Sequence, residues 1–347
     1  MGCRSRRHRQ EVPSLHSITA ELSSGARNAV RTCLRVQPHE LVSLITDRHT
    51  EPIATSLADE VRAVGAPVEM FVLEDFGPRP TVTMPAPILN ALERADVSIF
   101  AAQAQPGELP SRAEMCRVVE RRRIRHAHMV SITPEIMAQG MRADYDAVDD
   151  LSLRVLARAR LARTIRARSR AGSDLVAEFD PAIRWIKTSG IISRENWGNL
   201  PGGEVFTTPT RVDGVYVADG VLGDYLGPRY GDIGETPLRV TIADGRIVRA
   251  ECDRDDILAD FLAYTNQAEH SDRVGEFAIG TNIAVRSIIG NMLQDEKIPG
   301  LHIAFGHPYA EQTGAAWTCP THLDIVGRSF DIWIDGEQVM ADGAFLI

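Results

Sequence analysis

Between Leu41 and Ile132 the chain alternates short β-rich runs with helical segments, and no other feature constrains its fold as strongly. Leu41–Ile45 reads as a strand closed by Thr46-Asp47, followed by a helix over Pro52–Val64 and a strand over Val68–Leu73. A helix over Pro87–Arg94 and strands over Val97–Phe100 and His128–Ile132 continue the alternation. Neighbouring parallel strands can be joined only by a crossover, so this order predicts βαβ units and a parallel sheet. An amphipathic helix over Ile18–Arg35, carrying Leu22, Ala26, Ala29, Val30 and Cys33 at helical spacing, precedes them. The arginine-rich stretch Val148–Ala171 reads as one long helix joining two domains, broken by Gly172-Ser173-Asp174.

After that the texture changes. Gly214–Gly220, Leu238–Ile242 with Asp244-Gly245, and Ile332–Ile334 with Asp335-Gly336 are period-two runs ended by Asp-Gly turns. Only Asp255–Thr265 and Ala284–Met292 read as helices in this half. The expectation is therefore an α/β N-terminal domain with a parallel sheet over residues 1–175, and a β-rich α+β C-terminal domain over 176–347. Residues 1–14 read as a disordered basic tail: MGCRSRRHRQ lacks the apolar region of a secretion signal, and Arg6 breaks the myristoylation pattern.

A net charge of -9 argues against a general nucleic-acid binder, which needs a basic surface. No run approaches the roughly 20 apolar residues of a membrane span. There is no GxGxxG after the first strand and no GxxxxGK[ST], which weakens a nucleotide reading. Cys3, Cys33, Cys116, Cys252 and Cys319 are scattered and odd in number, as in a reduced, cytoplasmic compartment. The basic run Arg117–Arg125 reads as a solvated helix face.

Chemistry concentrates late in the chain. Leu301–Val326 packs His302, His307, Tyr309, His322 and Asp324 among short apolar runs. His322-x-Asp324 puts an imidazole and a carboxylate on one face of a strand, where they can meet one ion; the pair equally fits a histidine oriented by its neighbour. Upstream, Glu204, Glu276 and Glu296 each sit against apolar or glycine-rich sequence, where an unpaired charge is expensive. Cys319 is a softer candidate that a packed thiol explains as well. In the first half Asp47, His49 and Glu74 are isolated, and Asp47 reads as a turn or cap residue after the first strand.

Taken together, NLPGGEVFTTP, GEFAIGTN, DEKIPGLHIAFG and THLDIV, four blocks in order between Asn196 and Val326, resemble the M29 metallo-aminopeptidases of the aminopeptidase T type. The resemblance implies Glu204, Glu276, Glu296, His302, His322 and Asp324 as metal ligands, Tyr309 as the active-site tyrosine, and a homodimer. It implies a hydrolase that cleaves an N-terminal peptide bond or small aminoacyl amide with two divalent ions: zinc, cobalt or manganese. Four carboxylates and two imidazoles exceed what one catalytic zinc needs and suit two bridged ions, with Glu276 as the first choice of general base and Tyr309 as oxyanion donor. The same superfamily includes dihydroxypyridine dioxygenases, which hold one Fe(II) by two histidines and a carboxylate. That is the alternative. A metal-free binding domain is the second alternative, motivated by the compressed interval between His302 and His322, which suggests remodelled loops over the cleft.

Overall fold

The computed structural model describes residues 22–347. The basic tail and the start of the opening helix expected from the sequence lie outside the described residues. Among these residues no helix is long and apolar enough to cross a membrane.

The expected alternation builds a five-stranded parallel sheet from β1 (Val42–Thr46), β2 (Val68–Val72), β3 (Val97–Ala101), β4 (Arg125–His128) and the later β8 (Gly198–Asn199), ordered β2-β1-β3-β4-β8. Helices Glu51–Val64, Ala86–Leu92 and Leu109–Arg122 supply the crossovers. β1 and β3 are buried along their whole length, as a central parallel strand must be when helices cover both faces. The fourth strand corrects the sequence expectation: it runs from Arg125 to His128, and Met129–Ile132 is a turn, with Ser131 in the left-handed region at φ 57°.

The long joining helix is also corrected. Helix Tyr145–Ala159 stops early, and Thr164–Ser169 is a strand, β5, whose Ile165 and Ala167 point inward while the intervening arginines face out. Alternation of small apolar and charged residues overrode a helix-permissive composition. β5 forms a hairpin with β6 (Asp174–Glu178), so the β-rich half begins at Thr164, and a boundary at 175 would cut this hairpin.

Two antiparallel sheets follow. One is eight-stranded: β12 (Arg246–Glu251), β11 (Leu238–Ala243), β10 (Arg211–Ala218), β6, β5, β16 (Phe330–Ile334), β17 (Glu337–Ala341) and β18 (Ala344–Phe345), in that order. Asp244-Gly245 and Asp335-Gly336 close its hairpins with both residues at positive φ, the geometry a right-twisted hairpin favours. Asp219-Gly220 instead leads into helix Gly223–Tyr230, which the sequence reading missed. The other sheet is ordered β15 (His322–Val326), β14 (Gly300–Gly306), β13 (Val274–Gly280), β9 (Glu204–Thr207) and β7 (Ile186–Thr188). The two antiparallel sheets share one apolar core, in which Ile165, Tyr216 and Ile332 of the first meet Phe277, Ile303, Phe305 and Ile325 of the second.

The helix expected over Ala284–Met292 is instead a loop wrapped on a carboxylate. Asp295 accepts the backbone N–H groups of Ile289, Gly290 and Asn291, and Gly290 sits at φ 78°. Only the short turn Met292–Asp295 is helical there.

Candidate metal centre

The site is one face of the sheet β15-β14-β13-β9. Strand alternation sends Val205, Phe277, Ile279, Leu301, Ile303, Phe305, Leu323 and Ile325 into the core, so their neighbours point the other way. On that second face Glu276 stands opposite Ala304, and Ala304 opposite Asp324. His302 lies two residues before Ala304, His322 opposite Gly306, and Glu204 opposite Gly280. Small residues at 278, 280, 304 and 306 therefore leave room for five long polar side chains to converge. Gly275 sets the register: a bulge there aims Glu276, and a Cβ at 275 would lie 2.0 Å from the Gly306 carbonyl oxygen. Gly202, just before Glu204, packs equally tightly, since its Cβ would lie 2.3 Å from the Gly190 nitrogen. This explains the glycines of NLPGGE, which run from β8 in the parallel sheet directly to β9 in the site.

The convergence is tight. Glu204, Glu276 and His302 place ligand atoms within 4.8 Å of one another, as do Glu276, His322 and Asp324, and Glu296, His302 and Asp324. His302 Nε2 is 3.6 Å from Glu204 and 3.8 Å from Glu276; His322 Nε2 is 3.3 Å from Asp324 and 3.4 Å from Glu276. All six sequence candidates are thus brought together. Glu296 arrives from the end of the Met292–Asp295 turn rather than from the sheet.

Charge is unbalanced here. Burial raises the Glu276 carboxyl, and it pushes Glu296 up to about 8 although Lys297 opposes the shift. Burial also disfavours charged imidazole, yet the surrounding carboxylates win, lifting His302 to about 9 and His322 to about 10. Asp324 is lowered: burial works against its charge, and His322 outweighs that. Such a cluster is a cation site by its chemistry, because a divalent ion replaces the protons that otherwise hold the carboxylates together.

His302 Nε2 is buried and has no hydrogen-bond partner, the signature of a ligand atom aimed at something other than protein. His322 is oriented from behind, with Nδ1–H donating to the His307 carbonyl at 3.1 Å so that Nε2 faces the carboxylates. The donor set of carboxylate oxygens and imidazole nitrogens fits zinc, cobalt or manganese.

Tyr309 stands over this cluster. Its backbone takes the left-handed conformation at φ 48°, held by its N–H donating to His307 Nδ1 at 3.1 Å, and its hydroxyl lies 3.5 Å from His322 Nε2. Its ring meets Phe206 and His322. Cys319 is buried beside Thr321 and Ser271 and joins none of the three ligand groups.

Two residues escaped the sequence reading. Lys297 is fully buried and donates to Glu204 Oε1 at 2.6 Å and to Glu296, bridging the two carboxylates. A lysine directly after a buried glutamate was the available signal. Asp224, at the start of helix Gly223–Tyr230, lines the same cavity, and nothing local marked it.

That cavity has a volume of about 960 Å³. Its floor is Glu204, Glu276, Glu296, His322 and Asp324, and its opposite wall includes Val119, Arg123, Ile124 and Val130 of the α/β half and Trp197. Loops compressed between His302 and His322 have therefore left the cleft open above the cluster.

The model of the thermophilic metalloprotease (M29) family matches residues 154–324, the stretch that carries every ligand candidate. Over that stretch the chain is similar to the M29 family. The match marks the chain as an enzyme of the metal-dependent hydrolase class, and the matched segment ends on Asp324 itself. No curated protein matches the chain in sequence. Among solved structures, wild-type AmpT from Thermus thermophilus superposes with a TM-score of 0.67 at 17% identity, covering 95% of this chain and all of that one (100%). The 2,5-dihydroxypyridine dioxygenase of Pseudomonas putida KT2440 superposes with a TM-score of 0.66 at 18% identity, covering 94% and 97%. At these identities the likeness is one of fold, and this chain shares that fold with both.

Proposed function

We propose that this chain is a hydrolase of the M29 aminopeptidase type that removes an N-terminal residue or splits a small aminoacyl amide. Glu204, Glu276, Glu296, His302, His322 and Asp324 would hold two divalent ions, zinc, cobalt or manganese. The observation that carries this reading is the convergence of all six in three overlapping ligand groups, five of them lining one cavity. A single-iron site needs only two histidines and one carboxylate, so the three further carboxylates favour two ions over the dioxygenase reading. The same reading takes a peptide or small amide as substrate, a cytoplasmic location and a homodimer.

When bound, the ions would lower the pKa of a water towards 7 and polarise the scissile carbonyl. The chain's own groups do the rest. Glu276, whose carboxyl burial makes more basic, accepts the proton of the attacking water at a carboxylate oxygen and returns it to the leaving amine. The Tyr309 hydroxyl donates to the developing oxyanion from above the cluster. His322 is kept from rotating by its bond to the His307 carbonyl. Phe206 and Trp197 supply apolar lining to the cavity.

Assays of the cobalt-, zinc- or manganese-loaded chain on a panel of aminoacyl p-nitroanilides test this. Turnover without oxygen uptake is expected; oxygen uptake on 2,5-dihydroxypyridine by the iron-loaded chain, with no amide cleavage, would refute it. Tyr309→Phe is expected to keep the metal content of the parent and lose turnover by roughly 10²-fold or more, as for a removed oxyanion donor. Metal loss in that variant would make the tyrosine a ligand instead.

A further inference from the structure

We infer that Asp224 is the anchor for the substrate's free α-ammonium group, and so the residue that makes the site selective for unblocked N-termini. This rests on the hydrolase reading above and deepens it. Leu222 bridges to Ile325 on β15, and Gly223 at φ 50° packs so closely that a Cβ on it would lie 2.7 Å from Leu323 Cδ1, with the Asp324 backbone next beyond. The chain therefore delivers Asp224 into the cavity at the edge of the ligand cluster, alongside His322 and Asp324.

Asp224 differs from its neighbours in being unpartnered. The cluster carboxylates are each within reach of Lys297 or a histidine. The other cationic side chains lining the cavity are occupied too, Arg123 by Glu195, Arg194 by Asp96 and Lys187 by Asp149. Among the described residues Asp224 has no hydrogen-bond or ion-pair partner, and its side chain is exposed to the cavity. Glu120 is the other unpartnered lining carboxylate, but it sits on helix Leu109–Arg122 across the cavity from the cluster.

An amide whose carbonyl lies over the cluster carries its α-amine one carbon away. That amine, with an ordinary pKa near 8, is largely protonated at neutral pH and presents three donors. A carboxylate with free acceptor capacity beside the cluster is the complementary group, and an N-acylated substrate would leave it unpaired.

The test uses the cobalt-loaded chain and Asp224→Asn, which keeps shape and removes charge. Leucine p-nitroanilide reads turnover. Leucinamide and 4-methylpentanamide, the same amide without the amine, serve as competing ligands and are also titrated by calorimetry. The expected result is a rise in KM of roughly 10- to 100-fold with little change in kcat, the size of a lost charge-assisted hydrogen bond. Bound cobalt should be unchanged, and the parent's preference for leucinamide should collapse towards equality. An intact preference in Asp224→Asn overturns the assignment, as does cobalt loss or a fall in kcat alone. Absence of turnover in the parent on every aminoacyl substrate would instead overturn the hydrolase reading, and the calorimetric comparison of the two amides would still decide Asp224.

Discussion

Asp324→Ala and His322→Ala, made singly, should each abolish amide hydrolysis and release bound metal from an otherwise folded chain. Asp324 belongs to two of the three ligand groups and lies in register with Ala304 and Glu276 across three strands, so its carboxylate cannot be replaced by a neighbour shifting along the sheet. His322 is the one imidazole fixed from behind by a carbonyl, and its removal leaves Glu276 and Asp324 facing each other uncompensated. The expected loss is roughly 10³-fold or more in turnover, at or beyond the range for removing electrostatic stabilisation of an oxyanion. Circular dichroism should be unchanged, because the apolar face of the same strands is untouched. Full metal content with activity near the parent's in either variant would remove these residues from the centre.

The second large effect is on stability and lies far from the metal. Arg79→Ala should destabilise the chain by about 3–5 kcal/mol at neutral pH, because it strands two buried carboxylates. Arg79 reaches into the C-terminal edge of the parallel sheet, pairing with Asp47 after β1 and donating through Nε to Glu108 at 2.8 Å; all three side chains are almost fully buried. Asp47 also accepts from Thr50 N at 2.8 Å and Gln103 N at 2.7 Å, so it closes the turn into the following helix and ties the ends of β1 and β3 together.

Burial works against both carboxyls, yet hydrogen bonds leave both below their ordinary values, from Thr50, Gln103 and Arg79 at Asp47 and from Arg79, Thr81 and Gln105 at Glu108. A carboxyl lowered by folding stabilises fully above its unfolded pKa near 4 and loses that contribution as pH falls through its folded value. In Arg79→Ala burial acts unopposed by the guanidinium, so acid neutralises the stranded carboxylates. The stability gap between parent and variant should therefore narrow on acidification from pH 7 to 4, measured by urea unfolding. A gap below about 1 kcal/mol at pH 7, or one that widens in acid, would contradict this.

Much of this was legible in the sequence where periodicity and chemistry coincide. β1 and β3 were bounded to within a residue because central parallel strands are continuous apolar runs. The ligand strands were legible because LHIAFG and HLDIV alternate chelating or small residues with core residues, a pattern that only a strand with one apolar face and one working face produces. The misreadings share a cause. Val148–Ala171 and Ala284–Met292 contain nothing that forbids a helix, and what decided them was tertiary: pairing of β5 with β6 and β16, and capture of three backbone N–H groups by Asp295. Asp224 was invisible for the same reason, since its place in the cavity depends on helix Gly223–Tyr230 lying against β15. Lys297 was legible as a residue but not as a bridge between Glu204 and Glu296, which needs the turn that folds it under β9.

Metal analysis of the purified parent, saturated with zinc, cobalt or manganese and then freed of excess ion, tests the central claim most directly. Two ions per chain, falling in Asp324→Ala and His322→Ala but not in Tyr309→Phe, is the result expected. A single tightly bound iron per chain, with no site for a second ion, would contradict it.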